Sequence, residues 1–510
     1  MKVSLINVNL IAEDAIGACM INQARWFNGR GDDVRVYVLH PPHNAPPDVT
    51  ALTRVVSLAD LIGGREAHFR LSDLYIYHYP GRHALMESIR GLDRGAVIFY
   101  YHNVTPPDLW GSERDREALI QGLEGTALAH YADLCITPSP FNKRDLVERV
   151  GIDPDRVFVL PLAVSLDQFA PGEKDPEMVQ RYGLEEQRVL LFVGRMAGNK
   201  RIDLLVEALA RIQQDVAATK LLLVGDDQGT PAFREVVAAA RAQAEAMRIA
   251  GDVIWTGRVA DLLGYYQLAD VFVTASLHEG FGVPLIEAMA CAAPVVAARA
   301  GAIPWVVGDA GLLCEPGDAN DLAQNVLALL RDETLRQSVV ERGLERVQAF
   351  SLERYETGLA EIVEAVVAQT LPSVRIETGS QETKERQASH VASLDREAML
   401  LRVIADEIGA SSDVMLRNYQ VRSHIPVIGP LVAWVRRNAT SHLREPYLDP
   451  TLERQVALNR RLAEWARRTA TALDAAADRQ AALETRLRSL ENELATILQR
   501  AGAEGPPKET

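Results

Sequence analysis

The 510-residue sequence predicts two α/β units in series, each built on an open parallel sheet, with a helical extension behind them. Three observations predict it. Short aliphatic runs alternate with helical stretches through residues 1–185. The alternation restarts at Arg188 and continues to about residue 350. After Thr370 the chain turns polar, and a seven-residue apolar repeat follows. Strands that read as near-continuous apolar runs are buried on both faces, and helical crossovers then make the pairing parallel.

In the first unit, residues 3–8, 34–39, 74–79, 96–101, 134–137 and 157–160 read as strands, with helices over 17–28 and 117–131. Residues 162–186, with Pro171 and Pro176, read as the link. In the second unit the strands fall at 188–193, 220–224, 253–256, 271–274, 294–297 and 311–313. Its helices fall at 202–213, 233–249, 285–290, 322–330 and 335–350. The chain therefore divides into domains at 1–185 and 186–350 and a crossover helix at 351–370. A polar linker at 371–393, a helical and basic-apolar segment at 394–450 and a long helix at 451–500 complete it.

Composition excludes several classes. Hydrophobic residues make up 48% and charged residues 24%, as in ordinary globular proteins. Four scattered cysteines suit a reducing compartment, with no disulfide framework or zinc knuckle. No apolar stretch approaches the roughly 18 residues a membrane span needs, and the short apolar start runs into Glu13 and Asp14 rather than a cleavage site. The net charge of -15 argues against wholesale nucleic-acid binding. A cytoplasmic protein is expected.

Ligands of such sheets bind beyond the carboxyl ends of the strands, and the polar residues there carry the chemistry. In HEGFGVPLIE, residues 278–287, Glu279 and Glu287 flank a glycine–proline turn. Pro284 suits the first turn of a helix, whose free N–H groups can hold an anionic oxygen. Gly280 and Gly282 let backbone approach a ligand closely. The two carboxylates can accept hydroxyls at opposite ends of one ligand, a sugar ring and a ribose. The alternative is a loop and a helix-start charge that merely favours the dipole.

In GRMAGNK, residues 194–200, Arg195 and Lys200 stand between a strand and a helix. Two cations there can hold a diphosphate and stabilise it as it leaves; otherwise they are solvated. Gly17 and Ala18 fit a phosphate-cradling turn or a tight strand-to-helix turn without a ligand. His102 and Asn103 follow a strand and can face the crevice, and His102 can equally be structural. His78 is a weaker candidate of the same kind. Ser139 can touch phosphate or cap a helix. Residues 225–227 fit the floor of a nucleotide pocket or a solvated turn, and residues 255–259 can border a base. No histidine–cysteine cluster has metal-ligand spacing, so no metal is expected.

Arg195, Lys200, Ser276, Glu279, Gly280, Phe281, Gly282, Pro284 and Glu287 together carry a resemblance. Through residues 1–367 the chain resembles the retaining glycosyltransferases of family four, the group 1 enzymes of bacterial surface-polysaccharide synthesis. The resemblance implies a GT-B fold, two Rossmann-like domains facing a cleft, and a nucleotide-sugar donor with no cofactor or metal. It implies that Arg195 and Lys200 grip the diphosphate and that Glu279 meets the donor sugar. Gly280, Phe281, Gly282 and Val283 then bring backbone N–H groups to sugar and phosphate. Glu287 binds the ribose, Gly17 belongs to the first glycine loop and His102 sits at the reaction centre. The expected reaction moves a hexose or deoxyhexose from a UDP- or GDP-sugar to a glycan or lipid-linked acceptor, with retention. An inactive scaffold of the same fold, or an epimerase or hydrolase, is the alternative. Three residues depart from the family pattern: Ala18 for a second glycine, Ala292 for a glycine, and Trp305 for a glutamate. The alanines are tolerable unless φ is positive there.

In residues 424–444 apolar side chains join Arg436, Arg437 and Arg444, which suits a lipid interface or packing on the catalytic body. Serine-histidine-x-proline tails resemble those of surface-polysaccharide enzymes and favour a lipid-linked acceptor and peripheral contact with the inner face of the plasma membrane. Leu483, Leu487, Leu490, Leu494 and Ile497 keep heptad spacing, which predicts a coiled coil and a homo-oligomer, or a helix folded back on the body.

Overall fold

Every residue of the strands β4 (Leu74–Tyr79) and β5 (Ala96–Tyr101) is buried. Such strands can only be central, and they are. The computed structural model describes residues 1–110 and 113–370. The first sheet adds β1 (Lys2–Ile6), β2 (Asp33–Val38), β3 (Thr53–Val55), β6 (Leu134–Thr137) and β7 (Val157–Val159). Its order is β3-β2-β1-β4-β5-β6-β7, with every pair parallel. The second sheet comprises β8 (Arg188–Val193), β9 (Thr219–Val224), β10 (Val253–Gly257), β11 (Val271–Thr274), β12 (Val295–Ala298) and β13 (Gly311–Cys314). Its order is β10-β9-β8-β11-β12-β13, again all parallel. The fold is thus two Rossmann-like units with a cleft between them. The strand order reverses between β1 and β4 and between β8 and β11, and at such switch points loops diverge and open a crevice.

Strands β4, β5, β6, β8 and β11 coincide residue for residue with the sequence expectation. The differences have local causes. The helix expected over 117–131 is an α-helix only at Glu113–Glu124 and continues as a 3-10 helix, Gly125–Tyr131. A Cβ on Gly125 would lie 2.3 Å from the Tyr79 hydroxyl, so the tightened turn sits directly on β4. The helix Pro140–Val150 escaped the sequence pattern because its exposed face is polar. Ser139 caps its start and Gly151, at φ 66°, ends it.

The crossover helix Leu352–Thr370 returns to the first sheet and packs against β5. Tyr355, Leu359, Ile362, Val363 and Val366 are its buried residues. Among the described residues no helix is long and apolar enough to cross a membrane. The linker at 371–393, the basic-apolar segment within 394–450 and the heptads of 451–500 lie outside the described residues.

Candidate active site

The loops after β8 and β11 are stapled together by one side chain. The Asn199 amide donates to the backbone oxygen of His278 at 3.0 Å, and the Leu277 amide donates back to the Asn199 oxygen at 2.8 Å. This brings Lys200 onto Glu279, where Nζ donates to Oε1 in an ion pair. Both side chains are largely withdrawn from solvent, at 12% and 19% exposure, so removing either partner alone is costly. Burial alone would raise the Glu279 carboxyl. Lys200, the Ser276 hydroxyl and Arg195 outweigh it and hold the carboxyl below its ordinary range. Gly301, at φ 58°, lies against the Glu279 backbone, and the Ala302 amide donates to the Glu279 oxygen at 2.9 Å.

Arg195 remains exposed, with its guanidinium 5.3 Å from the ring centre of Trp110. A cation in that position keeps its charge available for an incoming anion. The helix Val283–Ala290 begins at Gly282, φ 103°, without a side-chain cap, and Pro284 occupies its first turn. Gly282 has no side chain to cap the helix, so its first N–H groups form a positive dipole end that attracts anions. Phe281 is buried and meets Phe350 edge-on at 5.7 Å. One turn into the helix, Glu287 accepts a 2.6 Å hydrogen bond from the buried Tyr266. Burial raises its carboxyl to about 7, against the lowering effect of that bond.

On the other side of the cleft, Gly17 lies in the helix Ala15–Gly29, and its amide donates to the capping Asp14 carboxylate at 2.5 Å. A Cβ on Gly17 would stand 1.8 Å from the Ile11 carbonyl oxygen. The glycine is thus required by local packing, and its amide already has an anionic partner. His102 follows β5, and its ring stacks on Tyr100 with centroids 4.3 Å apart. Asn103 next to it holds a left-handed backbone, φ 80°.

The two halves meet around Gly280. Ser139 donates its hydroxyl to the Gly280 oxygen at 2.9 Å while its own oxygen caps Pro140–Val150. The His278 ring and the Asn103 side chain are hydrogen-bonded at 2.6 Å. A Cβ on Gly280 would lie 2.8 Å from that of Asn103 and 3.0 Å from the His102 oxygen. His102 and Glu279, 177 positions apart in the chain, are thereby brought to one end of the cleft.

The three departures separate. Ala18 is helical and unstrained. Ala292 sits at φ 58°, the left-handed region that a glycine would occupy without penalty. Trp305 packs behind the loop, 6.4 Å from the Phe281 ring and 6.0 Å from Phe350, with the Arg346 guanidinium 5.8 Å away. It therefore braces Phe281.

Sequence reasoning did not identify Asn142, Asn199, Tyr266 or His278 as site residues. Asn199 lay inside the GRMAGNK signature and His278 at the head of the second, so spacing could have flagged both; nothing local marks Asn142 or Tyr266. Asn142 Nδ2, Asn199 Oδ1 and His102 Nδ1 are buried atoms without a hydrogen-bond partner among the described residues. Among the described residues no group of three or more His, Cys, Asp or Glu side chains is placed to hold a metal ion.

Residues 16–168 match the model of Glycosyltransferase Family 4, and residues 187–332 match that of Glycosyl transferases group 1. The O-antigen chain mannosyltransferase B of Escherichia coli is 30% identical over 291 residues, which span 56% of this chain and 72% of that protein. The D-inositol 3-phosphate glycosyltransferase of Geodermatophilus obscurus is 36% identical over 234 residues, spanning 44% of this chain and only 50% of that protein. The Anabaena HepE structure, in complex with UDP and glucose, superposes with a TM-score of 0.60 at 20% identity, covering 72% of this chain and 100% of that one. With the paired Rossmann-like sheets and these matches, the chain belongs to the family-four, group 1 glycosyltransferases of GT-B fold, which move a sugar from a nucleotide donor to an acceptor.

Proposed function

We propose that this chain transfers a hexose or deoxyhexose from a UDP- or GDP-sugar to a hydroxyl of a glycan or lipid-linked acceptor, with retention at the anomeric carbon. The Lys200–Glu279 pair carries the reading: a largely buried cation and a carboxylate share one loop junction beside an uncapped helix start. The E. coli relative named as an O-antigen mannosyltransferase supports a glycan acceptor. The Anabaena complex supports a nucleotide–sugar ligand in this fold.

In this reading the diphosphate lies against Arg195, Lys200 and the N–H groups at Gly282 and Val283. Negative charge grows on the leaving phosphate, and these donors, already in place, stabilise it more in the transition state than in the ground state. Glu279 accepts hydroxyls of the donor sugar, and Glu287 those of the ribose. The acceptor attacks on the face from which the phosphate departs, through an oxocarbenium-like ion pair, and the phosphate takes the acceptor proton. Contacts around Gly280 close the cleft and exclude water, which would otherwise hydrolyse the donor.

A panel of UDP- and GDP-sugars, assayed for nucleotide release with and without lipid-linked and oligosaccharide acceptors, tests the reading. Acceptor-dependent release with one donor is expected, and Lys200→Ala should lower kcat about 10²–10³-fold. Folded protein that releases nucleotide from no donor would favour a scaffold. Sugar release that no acceptor accelerates would favour a hydrolase or epimerase.

A further inference from the structure

A chain of polar side chains runs from the crossover helix to the cleft. Tyr355 Oη lies 3.2 Å from Cys19 Sγ and accepts from Gln23 Nε2 at 2.8 Å. Gln23 Oε1 meets His78 Nε2 at 2.8 Å, and His78 Nδ1 meets His102 Nε2 at 2.9 Å. Gln23 and His78 are fully buried. The two imidazole planes differ by 14°, with centroids 5.1 Å apart. That spacing, with 2.9 Å between nitrogens, sets the rings end to end, the geometry of an in-plane N–H···N bond. Tyr100 stacks on both rings.

The direction of this chain follows from Gln23. Its Nε2 is spent on Tyr355, so its Oε1 faces His78 and can only accept. His78 therefore carries its proton on Nε2, which leaves its Nδ1 a bare acceptor. With Gln23 in this orientation, His102 donates from Nε2 and its Nδ1 keeps the lone pair. That Nδ1 is buried and has no hydrogen-bond partner among the described residues.

We propose that Gln23 and His78 are positioning residues that lock His102 in its Nε2–H tautomer, so that Nδ1 accepts a hydrogen bond from a substrate hydroxyl. This rests on the reading of the cleft as a sugar-transfer site. Gln23 and His78 act through His102 and touch no substrate themselves. Burial supports the assignment: it holds His78 well below the ordinary histidine range and His102 at about 3, so both rings stay neutral. A neutral acceptor selects a hydroxyl and refuses a carboxylate at the same place, because two lone pairs would then face each other.

The test is a long-range ¹H–¹⁵N correlation spectrum of the full chain labelled with ¹⁵N-histidine, with His102 assigned through His102→Gln. Nε2 protonated and Nδ1 bare is expected; the opposite tautomer would mean a reversed chain and overturn the proposal. Gln23→Met removes the acceptor at the head of the chain. It should give mixed His102 tautomers and lower kcat about 10–100-fold, with a smaller change in KM. An unchanged tautomer in that variant would also overturn the proposal, and if it does not fold the wild-type spectrum decides. Monodeoxy donors read the substrate side: one position should lose at least tenfold in kcat/KM in wild type, and His102→Ala should abolish that discrimination. Discrimination that survives in His102→Ala would overturn the hydroxyl assignment. The spectrum needs no sugar, so an Nε2–H tautomer in a protein inactive on all donors would support the lock while overturning the transferase reading.

Discussion

Tyr266 donates its buried hydroxyl to Glu287 Oε2 at 2.6 Å, yet the Glu287 carboxyl still titrates near 7 because its burial outweighs that one bond. Two ribose hydroxyls donating to the same carboxylate would favour the charged form further. The free carboxyl is raised, and a hydroxyl-bearing ligand lowers it, so binding releases a proton wherever the pH lies below about 7. Nucleotide affinity should therefore fall as pH drops from 8 to 6, by up to about tenfold per unit below 7. Calorimetry in two buffers of different ionisation enthalpy should detect the proton. Glu287→Gln should bind more weakly and lose the pH dependence; an unchanged dependence would place the titration elsewhere.

The Lys200–Glu279 pair predicts a non-additive stability pattern. Lys200→Met takes the ion-pair partner from a largely buried carboxylate that only the Ser276 hydroxyl and Arg195 still favour, and should cost up to about 3–5 kcal/mol. The double variant Lys200→Met/Glu279→Gln removes both charges and should regain most of that loss in urea denaturation, while remaining inactive. A double variant as unstable as the sum of the singles would show that the two side chains do not act as a pair.

Gly280 has an ordinary negative-φ backbone, so alanine there is locally acceptable, but its Cβ would press on Asn103 and His102 across the cleft. Gly280→Ala should lower kcat about tenfold or more through misplacement of the two halves. Its melting temperature should stay within a few degrees of wild type, because the sheets are untouched. Full turnover in this variant would mean that the contact at Gly280 has no part in the productive state.

Ala292 occupies the left-handed region immediately after the helix Val283–Ala290 and Cys291. Left-handed backbone costs a non-glycine residue about 1–2 kcal/mol, and the greater freedom of glycine in the unfolded chain offsets part of it. Ala292→Gly should stabilise the protein by about 0.5–1 kcal/mol in denaturant unfolding. A lower midpoint would show that the methyl group makes compensating contacts.

Local composition determined the secondary frame. Runs such as Leu74–Tyr79 and Arg188–Val193 are apolar because both sheet faces are covered, and burial leaves that mark on consecutive residues. The two loop signatures, Gly194–Lys200 and His278–Glu287, also stood out, because close backbone approach and cation placement demand particular residues at fixed spacing. Short elements such as the three-residue strand Thr53–Val55 and the helix Pro140–Val150, with few buried residues, left no such mark. Only the tertiary structure decided the pairings. Lys200 meets Glu279 across 79 positions, His78 meets His102 across 24, and Gln23 meets Tyr355 across 332. A hydrogen bond constrains two side chains in space and imposes no periodicity on the chain between them. The Lys200–Glu279 ion pair, the raised carboxyl of Glu287 and the tautomer of His102 all belong to the packed molecule, because desolvation and partner geometry exist only once the sheets and the crossover helix are assembled.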